Sequence, residues 1–136
     1  MRKKYFIIIA IIVLIVAAWV YHLFTANRPG LAGVNADISI NAVDLYNQFQ
    51  SDENTADKKY LDKVIEIKGT ITDIQQTDTT LSIELKGADS GGINCGVAND
   101  GHDKTLSFQK GAIITVKGRC SGFLMDVNMV DCIIEK

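Results

Sequence analysis

The chain has 136 residues, with 14 Lys and Arg, 16 Asp and Glu and a single proline. Arg2, Lys3, Lys4 and Arg28 precede every acidic residue, so the hundred residues from Asp37 onward hold 10 basic and all 16 acidic side chains, a balance of about minus six. That surface repels phosphate chains and anionic headgroups and argues against nucleic acid as a partner, and a hundred residues supply one compact domain rather than two.

Tyr5 to Phe24 contains no charged residue and thirteen of Leu, Ile, Val or Phe. About 20 apolar residues at a rise of about 1.5 Å per residue match the hydrocarbon thickness of a bilayer, so the run is expected to span a membrane as a helix. Trp19 and Tyr21 near its end suit the interface. A cleaved signal peptide has a shorter core and a small-x-small site, which His22 to Asn27 lacks. No cysteine precedes Cys95, so no lipid-bearing cysteine follows the run. Arg2, Lys3 and Lys4 before it, against Arg28 after it, keep the N-terminus in the cytoplasm. The expected order is a cytoplasmic N-terminus (1–4), a signal-anchor helix (5–24), a linker (25–36) and an extracytoplasmic domain (37–136) on the cytoplasmic membrane.

The linker holds Pro29, Gly30 and Gly33 and no amphipathic period. Ser39 to Gln50 then reads as an amphipathic helix. Ser39 or Asn41 stands at its N-cap, Asp44 lies in its first turn, and Ala42, Leu45, Tyr46 and Phe49 fall on one face. Ser51 to Thr55 ends or kinks it, and Ala56 and Tyr60 share a face of a second turn. These aromatics are expected to cover the domain core.

Five strands follow. Lys63 to Gln76 alternates Val64, Ile65, Ile67, Ile71 and Ile74 with polar residues around Gly69, and a glycine inside a strand marks a bulge or bend. Thr80 to Leu85 alternates with Leu81, Ile83 and Leu85 inward. Ile93, Cys95 and Val97 mark a third strand, Ala112 to Cys120 a fourth and Leu124 to Ile134 a fifth, with a turn at Ser121 to Phe123. Between the third and fourth lie Asn99, Asp100 and Gly101 and a short segment around Thr105 to Phe108. One helix and five strands, the first long and bent at glycine, predict a mainly β fold: a five-stranded OB-fold Greek-key barrel.

The segments from Leu45 to Ile74, the strand cysteine Cys95, and Val116 to Ile134 resemble the bacterial tRNA_anti-like group of small membrane-anchored or lipoprotein OB-fold domains. The resemblance rests on the helix, on Ala56-Asp57-Lys58-Lys59-Tyr60 leading to the first strand, and on the Gly118-x-Cys120-x-Gly122 turn. It implies the OB-fold and an envelope location, and it carries over no catalytic or ligand residues.

Outside the cytoplasm paired cysteines oxidise, and Cys95, Cys120 and Cys132 leave one over. Cys95 is in phase with Ile93 and Val97, as a buried thiol would be. A turn centred near Gly122 places Cys132 opposite roughly residue 112, which disfavours a bridge to Cys120. A bent strand leaves either of them able to reach Cys95. No C-x-x-C is present to bind zinc or run redox chemistry.

Asn99, Asp100, His102 and Asp103 supply only a fragment of a calcium loop, and a polar turn is the simpler reading, so no metal and no cofactor are expected. His102 is the only histidine of the domain, too little for a nucleophile and base pair, and no enzyme activity is expected. OB-folds bind nucleic acid on strands two and three through basic grooves and aromatic platforms. The outward residues here are Ser82, Glu84, Asn94 and Gly96, neither basic nor aromatic. The expected function is a non-enzymatic binding or scaffolding module, held to the membrane by Tyr5–Phe24. Ser82, Glu84, Asn94 and the loop aromatic Phe123 would take a protein, peptide or glycan. The alternatives are a nucleic-acid binder and a thiol-dependent sensor or enzyme.

Overall fold

The alternation around Gly69 forms the longest strand of a closed barrel. The computed structural model describes residues 2–25, 30–77, 80–97 and 108–135, with side chains from Ile9 onward except those of Ala10 and residues 23–25. In chain order its elements are α1 (Arg2–Thr25), β1 (Ile38–Asn41), α2 (Ala42–Ser51), α3 (Glu53–Tyr60), β2 (Val64–Gln76), β3 (Leu81–Ala88), β4 (Gly91–Val97), β5 (Ile113–Phe123) and β6 (Val127–Glu135). The strands run β2-β3-β4-β6-β5 and return to β2. β4 and β6 pair in parallel and the other barrel pairs are antiparallel. This is the five-stranded OB-fold barrel.

β2 changes partner beside its glycine. Val64 to Thr70 pairs with β5, and from Ile71 onward the strand pairs with β3. The bulge itself lies further on, where Ile71 pairs with Leu85 and Asp73 with Glu84, leaving Thr72 as the extra residue. That insertion reverses the phase of the alternation. It explains why Ile71 and Ile74, three residues apart, both sit at inward register positions opposite Leu85 and Ile83. Ile65, Ile67, Ile71, Ile83, Leu85 and Ile93 are all at most 1% exposed. Each such side chain contributes about 1.5–3 kcal/mol relative to exposure.

The expected helix from Ser39 is corrected at its start. Ile38 to Asn41 is a strand, pairing in parallel with Ile65 to Lys68, and α2 begins at Ala42. Ile38 and Ile40 alternate with Ser39 and Asn41, and this period-two run packs against the core before the helical period takes over. Ser39 therefore donates its hydroxyl to Glu66 Oε1 at 2.9 Å instead of capping a helix. Asn41 occupies the N-cap with extended backbone, and its amide reaches Asp44 Oδ2 at 3.4 Å. Ala42, Leu45, Tyr46 and Phe49 form the buried face as expected. Asp52 breaks the helix: its carboxylate accepts from Thr55 N at 3.1 Å and from Thr55 Oγ1 at 2.6 Å, which caps α3. Ala56 and Tyr60 are buried on α3.

The β5–β6 turn is also displaced. β5 continues through Phe123, and the chain reverses at Leu124 to Asp126, so Cys120 pairs with Met129 and Thr115 with Glu135. Phe123 extends the strand because its ring stacks on Phe49, 5.6 Å between centroids, and meets Tyr46 edge-on at 5.8 Å. Cys132 accordingly lies beside Gly118 and not opposite residue 112. A second bulge sits here, with Asp131 at φ 55° and register shifts toward both β4 and β5. The extra residue turns both Met129 and Cys132 into the core, although they are three apart.

The expected membrane span falls within the continuous helix α1. Ile9 and Ile11 to Val16 are more than half exposed on it or at that level. Among the described residues no helix is long and apolar enough to cross a membrane; the side chains of Tyr5 to Ile8, Leu23 and Phe24 lie outside those described. Leu31 is 1% exposed, so packing of the domain begins before Asp37.

Candidate functional site

The outward side of β3 and β4 carries three of the four expected contact residues together. Glu84 pairs with Asn94 across the strands, and Ser82 donates its hydroxyl to Asn94 Oδ1 at 2.6 Å. Asp73 and Gln75 from β2 and Asp126 from the β5–β6 turn complete the lining of one recess with them. Its volume is about 50 Å³, room for about one or two waters and far below the several hundred Å³ of a small-molecule pocket. The surface is shallow and polar, suited to a partner laid across it.

Its electrostatics are acidic. Among the described residues, Asp73, Glu84 and Asp126 bring three carboxylates and no lysine or arginine into the lining. Asp73 is held below the usual carboxylate range, first by a hydrogen bond from the Lys110 ammonium, 2.6 Å away. Asp126 Oδ1 accepts the Gly92 amide at 2.7 Å, which ties the β5–β6 turn to the start of β4. That carboxylate is thus a structural clasp as well as a wall of the recess.

Phe123 is elsewhere. It is half-buried against Phe49 and Tyr46 and packs on the core beneath α2. The residues that sequence reasoning missed are Asp73, Gln75 and Asp126. Asp73 and Gln75 were hidden by the Thr72 bulge, which moves the outward positions by one, and Asp126 by the displaced turn.

Two larger hollows flank the helices. One, about 540 Å³, lies between α2 and α3 and includes Asp44, Gln48, Asp52 and Lys59. Several of its polar groups are occupied: Gln48 Oε1 accepts from Lys59 Nζ at 3.1 Å and from the Tyr60 hydroxyl at 2.7 Å, and Asp52 caps α3. The other, about 350 Å³, has Lys68, Gly69, Thr70, Lys86 and Ile113 beside the start of α2.

The three cysteines are free and buried. Burial pushes the Cys120 thiol up, and Cys132 is pushed up by its hydrogen bond with Cys95 and then by burial. Thiols held in this way are poor nucleophiles. Among the described residues no group of three or more His, Cys, Asp or Glu could hold a metal ion. The Asn99 to Asp103 cluster, including His102, lies outside the described residues.

No curated protein matches the chain. A crystal structure from Klebsiella pneumoniae subsp. pneumoniae MGH 78578, described provisionally as a nucleic acid-binding lipoprotein, is similar at 16% identity and a TM-score of 0.59. The match covers 80% of this chain and 100% of that one, and at this identity it shows the shared fold. The S. pombe Stn1–Ten1 complex matches at 15% identity and a TM-score of 0.40, over 49% of this chain and 52% of that one. A protein from Leishmania major Friedlin described provisionally as an aspartyl-tRNA synthetase matches at 12% and 0.48, over 88% of this chain and 25% of its own. These last two scores carry no argument. With the barrel, its helix and the strand order in place, the match of a family model to residues 1–134 is decisive: the chain belongs to the tRNA_anti-like family.

Proposed function

We propose that this OB-fold protein is a non-enzymatic binding or scaffolding module, anchored in the cytoplasmic membrane by Tyr5–Phe24 with its barrel outside the cytoplasm. The partner is a protein, peptide or glycan laid across β3 and β4. The observation that carries the reading is the chemistry of that face. Ser82, Glu84 and Asn94 stand with Asp73 and Asp126 around a shallow recess whose lining, among the described residues, has no aromatic ring and no lysine or arginine, the Lys110 ammonium being paired to Asp73 from beside it. Barrels that bind single-stranded nucleic acid combine a basic groove with aromatic platforms. Continuity of α1 from Arg2 to Thr25 supports the anchor.

The second reading is nucleic-acid binding, favoured by the description of the Klebsiella structure. One experiment separates the two. A photo-crosslinking residue replaces Glu84 or Asn94 in cells, and the full chain in detergent is titrated with labelled single-stranded DNA and RNA at low and high salt. Discrete protein or glycan adducts without salt-dependent oligonucleotide binding support the first reading. Oligonucleotide affinity that falls steeply with salt, with no adducts, would replace it with the second.

A further inference from the structure

We propose that Leu124 and Met125, at the tip of the β5–β6 turn, are the apolar anchor of the partner contact, and that the partner is a protein offering an apolar cleft edged by lysine or arginine. The inference rests on the binding-module reading for the face beside the turn, and it narrows the partner to protein. Leu124 is 85% exposed and Met125 79%, and among the described residues no other large hydrophobic side chain is as exposed. Turn positions are ordinarily filled by Gly, Pro, Asn, Asp or Ser, so the reversal of the chain does not itself call for leucine and methionine.

The turn that bears them is pinned. Leu124 N donates to the Asp126 carbonyl at 3.2 Å, and the Asn128 amide donates to the same oxygen at 3.2 Å. The Tyr46 hydroxyl donates to the Met125 carbonyl at 3.4 Å, while Asp126 Oδ1 accepts the Gly92 amide at 2.7 Å, so α2 and β4 both hold the tip. On either side, Phe123 stacks on Phe49 and Val127 is fully buried. A turn fixed in this way presents both side chains in set positions, and docking has little loop freedom left to remove. Sealing them from water then supplies the driving force, with the flexible thioether of Met125 adapting to the cleft wall.

Charge selects the occupant. Asp126 follows Met125 directly and lines the recess with Glu84 and Asp73, of which Asp73 is paired to Lys110. Lys86, two residues after Glu84 on β3, lines the separate hollow at the start of α2. An anionic lipid surface, or the same tip of a second copy, would set like charges against Glu84 and Asp126. A glycan would leave its hydroxyls unsatisfied against Leu124 and Met125. A protein cleft takes the two apolar side chains, and lysine or arginine at its edge meets the carboxylates, the arrangement of an apolar contact centre with a charged rim.

The test uses the full chain in cells, with a photo-crosslinking residue replacing Leu124, Met125, Glu84 or Ile113 one at a time. Ile113, 66% exposed at the opposite end of β5, is the control for apolar exposure alone. Leu124 and Met125 are expected to give the same protein adduct as Glu84, and Ile113 to give none of it. Peptides of that partner joined at Leu124 or Met125 should be apolar, and those joined at Glu84 should contain Lys or Arg. With the crosslinker at Glu84, Leu124→Ser combined with Met125→Ser should lower the adduct about tenfold or more, and Ile113→Ser should leave it unchanged. Both serines replace exposed side chains, so the melting temperature of the double variant should match wild type. A Glu84 adduct indifferent to the double variant, with none from Leu124 or Met125, would overturn the anchor and leave the β3–β4 face standing. Protein adducts from Leu124 and Met125 with none from Glu84 would uphold the anchor and overturn that face. Lipid adducts or links between two copies at the tip would overturn the choice of partner.

Discussion

The Cβ of Ala42 occupies the space over Gly69: a Cβ built on that glycine would stand 2.7 Å from it and 3.2 Å from the Cβ of Leu85. The first residue of α2 and the middle of β2 approach this closely because position 69 has no side chain. Gly69→Ala is expected to destabilise the domain by about 1–3 kcal/mol through overpacking. Gly96→Ala, whose Cβ would meet only the Met129 carbonyl at 3.6 Å, is the near-neutral control. Urea unfolding of both variants checks the contrast, and equal midpoints would show that α2 shifts freely.

Gly118 and Cys132 form a second close pair. Under reducing conditions Gly118→Ala is expected to lower stability by about 1–3 kcal/mol, because the added methyl meets a buried sulfur. Cys132→Ala removes that sulfur. The double variant should therefore be less destabilised than the sum of the singles, by about 0.5–3 kcal/mol of coupling. Strict additivity would mean that the clash is relieved by movement of β5.

Lys117 is 8% exposed and pairs with Glu135, and the carboxylates of Glu66 and Glu135 lie beside each other on this wall of the barrel. Glu135→Gln is expected to cost about 1–3 kcal/mol by weakening the partner of a buried ammonium. Lys117→Met, which removes the charge as well, should cost less or stabilise. The lysine holds Glu135 below its usual value of 4.5. The stability it contributes is thus present above that value and disappears as pH falls through the lower folded one. Acid unfolding curves of wild type and Glu135→Gln should converge at low pH.

Asp52 lies at the junction of α2 and α3, its carboxylate held below the usual 3.8 first by the Thr55 hydroxyl and then by the Thr55 amide. Its cap therefore weakens only as pH falls below that range. Asp52→Asn should retain most of the cap and lose this pH dependence, whereas Asp52→Ala should speed amide exchange in the first turn of α3 at neutral pH. Hydrogen exchange at Thr55 and Ala56 measures both.

The barrel was legible in the sequence wherever a strand alternates without interruption. Leu81, Ile83 and Leu85, and Ile93, Cys95 and Val97, face inward as their spacing requires. Around Gly69 the sequence pointed to a bent strand, yet the bulge lies at Thr72, because the phase change is encoded by the spacing of Ile71 and Ile74 and not by the glycine. From Ile38 to Asn41 the two-residue period merges into the helical one that follows, four residues being too few to tell them apart. The contact face was partly legible: Ser82, Glu84 and Asn94 follow from alternation on β3 and β4. Asp73, Gln75 and Asp126 depend on a bulge and a displaced turn, and Phe123 reads as a loop aromatic until α2 is seen above it.

Leu31, buried well before the first strand, sets the length of the leash. If α1 is embedded in a bilayer, the slack between Thr25 and the domain is six residue steps, which stretch to about 20 Å. A barrel some tens of ångströms across would then stay within about one diameter of the lipid surface. It would search in two dimensions among partners that are themselves in or against the membrane, and objects farther from the lipid would be out of its range.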